Sequence, residues 1–183
     1  KGVAGLAGKP LILNMLIDVF EKGGCLPSKK VEIYTQGINL LLQESDDSKK
    51  TSQATKPKLN LNQRAAVAER IAISTIIGGK SAIVIDGAST VTNGELGITS
   101  LIGKEIIGDT SLAVSEEQVQ EVLNTGLFSS RGNGKMGWAH QTYGEFLAAR
   151  YLTRHKLNWK QIRSFLFQDP LKIGAFQIVP QLY

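Results

Sequence analysis

A chain of 183 residues holds one domain with a full core or two small ones, and its 42% hydrophobic, 20% charged composition is that of an ordinary globular protein. The net charge of +5, with a pI near 9.3, permits contact with nucleic acid or another anion without establishing it. A single cysteine, Cys25, excludes an intramolecular disulfide and reads as a small apolar filler, and no run approaches the about 18 apolar residues of a membrane span.

The chain opens at Lys1 and stops in mid-pattern, so it reads as a piece of a longer cytoplasmic protein. Residues 9–22 are apolar almost all round, which predicts a helix buried on most sides. Asn14 and Asp18 interrupt it, and no small-residue cleavage site follows in the manner of a signal peptide. Gly23-Gly24 ends this helix and Leu26-Pro27 turns the chain. A second helix, from about Ser28 to Gln43, places Val31, Tyr34, Ile38, Leu41 and Leu42 along one face. The two helices form an antiparallel pair. Residues 44–58 (ESDDSKKTSQATKPK) carry no large apolar group to offset the entropy of ordering them, so they read as a linker.

A third helix near 62–77 runs into "GGKSAIVIDG" at 78–87, whose Gly79-Lys80-Ser81 and Asp86 imitate a phosphate loop and a magnesium-holding acid. The imitation fails on spacing and on order. Ser74 stands where the first glycine of Gly-x-x-x-x-Gly-Lys-[Ser/Thr] is required, and the helix precedes the loop instead of following it. A glycine turn from helix into a strand at 82–86 accounts for the same letters.

Residues 87–114 are weakly patterned, with a short helix expected around 95–107. Ser115-Glu116-Glu117-Gln118 fits a capping box, and Val119, Val122 and Leu123 give the helix behind it an apolar face that Gly126 ends. Residues 127–140 read as a hairpin with its tip at Arg131-Gly132-Asn133-Gly134. Thr142-Tyr143-Gly144-Glu145 is a second capping-box match, which assigns Glu145 a structural role at the start of a helix to about Arg154. The basic group Arg150, Arg154, His155, Lys156, Lys160 and Arg163 reads as a solvated face.

Helix, short strand, helix, helix, hairpin is the order of a winged-helix domain. The expected class is mainly α: a helical domain over 1–45, a linker over 46–58, and a winged-helix domain with a small antiparallel β-sheet over 59–155. A further helical region starts at 156–183. No cluster of His, Cys or carboxylates has metal-ligand spacing and no Ser/His/Asp set stands out, so neither a metal ligand nor a catalytic residue is assigned.

Two stretches carry a resemblance. "GKPLILNMLIDVFEKGGCLPSKKVEIYTQGINLLL" (8–42) is similar to the helical segment after the ATPase core of NACHT proteins, matching at Gly8, Lys9, Pro10, Leu26, Pro27 and Tyr34. "GWAHQTYGEFLAARYL" (137–152) resembles the aromatic-x-His-x-[Thr/Ser]-aromatic-x-Glu-Phe-x-Ala-Ala signature that closes the winged helix of that family. Trp138 stands where a Phe is more usual, and Gly144 replaces a larger polar residue. Neither Walker motif is present, so the resemblance implies an ATPase core upstream.

The same resemblance implies roles for two residues. His140 matches the histidine that points at the β-phosphate of bound ADP and holds the closed state, and its place before a helix N-terminus suits an anion. The plain alternative is that His140 hydrogen-bonds a backbone carbonyl beside the hairpin. Pro10 matches the proline that packs on the adenine ring, though the first turn of a helix suits its fixed φ in any case. The expected function is a non-catalytic regulatory part of a nucleotide-dependent switch ATPase in signalling or defence. It would close over ADP/ATP held by the upstream core and permit homo-oligomerisation on exchange, with no membrane partner. The rival is a winged helix that docks DNA through residues 116–125 and the Arg131/Lys135 tip, but Glu116, Glu117 and Glu121 make that face poor for phosphates. A purely structural interaction domain is the third reading.

Overall fold

The structure is a computed structural model that describes residues 10–44, 59–85 and 90–166. The expected linker at 46–58 and the run after 166 therefore lie outside the described residues, as does Asp86.

Helix α1 (Pro10–Gly23) ends where Gly24 turns left-handed at φ +69 and donates to the Phe20 carbonyl at 2.7 Å. Its burial is one-sided. Met15, Leu16 and Val19 are buried, while Leu13, Ile17 and Phe20 are 40–53% exposed, so the expectation of a helix buried on most sides fails. Cys25 is exposed rather than an apolar filler. Helix α2 (Lys30–Gln43) buries Ile33, Tyr34, Ile38 and Leu42, and Val31 leaves the expected face for solvent. The helices meet at Gly37, where any Cβ would fall inside the Met15 side chain.

Helix α3 (Leu61–Ala72) is the central element, capped by reciprocal 3.0 Å bonds between Asn60 and Gln63 and buried at every position from Ala65 to Ala72. It runs on as a π-turn (Ile73–Ile77), closed by Lys80 N–H donating to the Thr75 carbonyl at 2.8 Å. Ser74 and Thr75 hydroxyls donate back to the Arg70 and Ile71 carbonyls, a bonding pattern that loosens a helix end. Gly79 (φ +61) then turns the chain into strand β1 (Ala82–Val84), as the glycine-turn reading requires.

The helix expected around 95–107 is absent. In its place lie β2 (Glu95–Gly97), a 3₁₀ turn (Ile98–Leu101) and β3 (Gly103–Ile107), which pairs antiparallel with β4 (Thr110–Val114). The apolar spacing of Ile98, Leu101 and Ile102 imitates a helix. Gly103 breaks it: its φ is +152, and a Cβ there would lie 2.6 Å from the Arg70 guanidinium.

Helix α4 (Glu116–Leu123) opens with the expected box, Gln118 accepting from the Ser115 N–H at 3.0 Å. Strands β5 (Phe128–Gly132) and β6 (Lys135–Trp138) form the expected hairpin, with Gly132, Asn133 and Gly134 all at positive φ in the tip. The larger sheet has the order β2-β1-β6-β5. Because β1 and β2 run parallel, it is mixed rather than antiparallel, and β3-β4 forms a separate sheet. Helix α5 (Gln141–Arg154) packs along α3, and α6 (Trp159–Leu166) follows. The described chain is thus a mixed α and β fold of six α-helices and two small sheets. Ile38 and Leu42 of α2 share one buried cluster with Ile71, Leu123 and Leu147. Among the described residues no helix is long and apolar enough to cross a membrane.

Candidate functional site

His140 occupies the junction between β6 and α5. Its backbone is extended (φ −141, ψ 131), which makes it the N-cap residue, and its Nδ1 accepts the Thr142 backbone N–H at 3.2 Å. The expected box starting at Thr142 is therefore displaced by two positions. Glu145 sits exposed inside the helix and takes no part in a cap. Histidine is not among the usual capping residues, so composition gave no hint of this. A ring nitrogen that accepts carries no proton, which places the proton of the neutral imidazole on Nε2. The half-buried ring lies 5.6 Å from that of Tyr143.

The first turns of α5 rest on α2. Phe146 stacks on Tyr34 at 5.2 Å, and burial, then the charge of Glu145, pushes the Tyr34 phenol up. Burial also raises the Tyr143 phenol to about 12, with Tyr34, Asp18 and Glu44 adding to it. Behind the junction, Trp138 Nε1 donates to Thr75 Oγ1 at 3.0 Å in the π-turn. A Cβ on Gly144 would come within 2.9 Å of the Trp138 ring and of Ile76. Trp138 and Gly144 thus fit one another: the large ring needs the small residue beneath it.

Pro10 is the first residue of α1, where its missing N–H costs no helix bond, and its side chain lies outside what the structure describes. Lys80 donates from Nζ to the Asn93 carbonyl at 2.6 Å, so it ties the turn before β1 to the chain entering β2. Both basic residues offered to DNA by the rival reading are engaged at the hairpin. Arg131 donates to the Trp138 carbonyl at 2.7 Å, and Lys135 pairs with Glu95 at 2.6 Å. On α4, Glu121 accepts from Arg64 Nε at 2.9 Å.

The reading of the later basic residues as a solvated face fails for three of them. Glu69 of α3 is 1% exposed and pairs with Arg150 at 2.9 Å and Arg154 at 2.6 Å. Glu105 of β3, also 1% exposed, meets Arg154 at 3.0 Å, His155 Nε2 at 2.9 Å and Arg70 at 3.5 Å. The His155 ring stacks on Tyr151 at 4.0 Å. Sequence reading missed this cluster because its partners lie far apart in the chain. The only available signal was a pair of acids, Glu69 and Glu105, within apolar stretches.

Burial alone would raise the Glu105 carboxyl. The hydrogen bond from His155 and the charges of Arg154, His155 and Arg70 outweigh it, and hold the carboxyl below the usual carboxylate range. A carboxyl depressed in the folded state adds stability above its unfolded pKa of about 4.3, and that stability is lost as pH falls through the folded value. Denaturant midpoints are therefore expected to be flat from pH 7 to 5 in this contribution and to drop below pH 4. In Glu105→Gln that acid limb should be shallower, and an unchanged limb would refute the assignment.

Comparison of the chain with protein-family models, curated proteins and solved structures finds no match in any of the three.

Proposed function

We propose that this chain is the helical and winged-helix portion of a NACHT-type switch ATPase, which closes over ADP or ATP held by a separate core. Strand β1 pairing with the β5-β6 hairpin, behind α3 and α4, supports the winged-helix reading, with β2, β3 and β4 standing where a second helix would be. The observation that carries the nucleotide role is the state of His140. With Nδ1 tied to the Thr142 N–H, the imidazole offers Nε2–H beside a helix N-terminus, a donor suited to a phosphate oxygen. Pro10 would lie against adenine at the other end of the nucleotide. Exchange of ADP for ATP would break the His140 contact, free the winged helix and permit homo-oligomerisation.

Three substitutions in the parent protein separate capping from phosphate binding. His140→Asn keeps an acceptor for the cap and a donor for the ligand. His140→Asp keeps the cap but sets a negative charge against the phosphate, and His140→Ala removes both. Ala should cost about 1 kcal/mol of stability, as for loss of an N-cap, and Asp should not. ADP retention should fall about 10–100-fold in both Asp and Ala, the worth of a hydrogen bond to a charged group, and stay within a few-fold in Asn. Retention that follows stability alone across the three would show His140 to be only a cap.

A further inference from the structure

Helix α5 has a candidate ligand group at one end and a buried ionic joint at the other, roughly 20 Å apart at 1.5 Å per residue. The joint has an unusual design. The β3-β4 hairpin shares no ladder with the four-stranded sheet. Among the described residues, two helices hold this hairpin and the turn leading into it by polar contacts. From α3, Arg70 donates to the carbonyls of Leu101 (2.8 Å), Ile102 (3.3 Å) and Lys104 (3.3 Å). From α5, Arg154 donates to the Ile106 carbonyl. Both sets converge on one carboxylate: Glu105 Oε2 takes Arg70, and Oε1 takes Arg154 and His155. His155 is the C-cap residue of α5, and Lys156 behind it turns left-handed at φ +51 to send the chain toward α6.

We infer that Glu105 is a latch that fixes the α5–α6 corner to the β3-β4 hairpin, so that the two segments loosen together when the carboxylate lets go. If the switch reading above holds, it is the far end of the helix that His140 begins, and release at the nucleotide would reach α6 through it. The charged groups that meet Glu105 are Arg70 on α3 and Arg154 and His155 at the end of α5, so its ionised form is the one they match; Glu69 on α3 shares Arg154 with it, and Arg150 pairs with Glu69. The apolar anchors beneath, Leu101 and Val114, do not depend on that charge. A buried ion pair of this kind is a poor source of net stability, and fixing one of two arrangements is its best-attested use.

Hydrogen exchange by mass spectrometry on the full chain tests the latch without nucleotide. Glu105→Gln keeps the shape and removes the charge. It should raise exchange by about tenfold or more in 103–114 and 152–162, and leave 61–72 and 128–138 within about twofold. His155→Gln, at a half-exposed position, should move the same two segments less. A uniform rise across all segments, or none in either variant, overturns the latch. So does loosening of one segment without the other. These outcomes do not depend on His140, whose failure would appear only as unchanged ADP retention in the parent protein.

Discussion

Replacing Glu69 with alanine is expected to lower the unfolding free energy by about 3–5 kcal/mol, a large part of the about 5–15 kcal/mol that a domain possesses. Glu69 lies on α3, the helix buried at every position from Ala65 to Ala72, and 1% of its surface reaches water. Its two oxygens accept from Arg150 Nη2 and Arg154 Nε. Arg150 Nη1 is buried with no partner among the described residues, so this guanidinium depends on Glu69 alone for neutralisation. Removing the acid strands Arg150 and leaves Arg154 with Glu105 alone, which already serves Arg70 and His155. The cost is chiefly that of stranded charge, not of a lost bond. Urea midpoints with an unchanged slope would measure it. A loss under about 1 kcal/mol would mean that water reaches the arginines and the cluster is a surface feature.

The cluster also marks where sequence reading stopped. Most local signals were legible where one short stretch decides the outcome, although the cap read at Thr142 lies at His140. The Ser115–Gln118 box, the Gly132–Gly134 tip and the Gly79 turn are fixed by backbone chemistry within a few residues, and each is found as read. Three failures share the opposite cause. Arg154 and His155 look solvated until Glu69 and Glu105 arrive from 85 and 50 residues away. The 95–107 segment looks helical until Arg70, from α3, claims the space beside Gly103 and the carbonyls around it. Helix α1 looks buried on most sides because its sequence does not say how many neighbours it has. At the candidate site, the sequence resemblance pointed to His140 and left its bonding open. Only the fold places the Thr142 N–H on Nδ1 and so assigns the imidazole its donor nitrogen.

Phe128→Ala should be the other severe substitution, at about 3–5 kcal/mol, the range for truncating a buried phenyl ring. Phe128 is 1% exposed and opens β5 directly opposite Trp138, with ring centroids 4.4 Å apart. That pair is the base of the hairpin. Trp138 also bonds Thr75 in the π-turn and covers Gly144, so it joins the end of α3, the sheet and the start of α5. Loss of the phenyl ring removes one wall of the tryptophan's site and frees the strand end two residues before His140. The effect should therefore reach beyond stability. Leu42→Ala provides the control: Leu42 is fully buried on α2, outside the hairpin base, and its truncation should cost a similar about 2–5 kcal/mol. In the parent protein, measured well below either melting temperature, Phe128→Ala should speed ADP release and Leu42→Ala should not. Equal release rates at matched loss of stability would show that the hairpin base does not position His140, and that the nucleotide contact must be sought elsewhere on the chain.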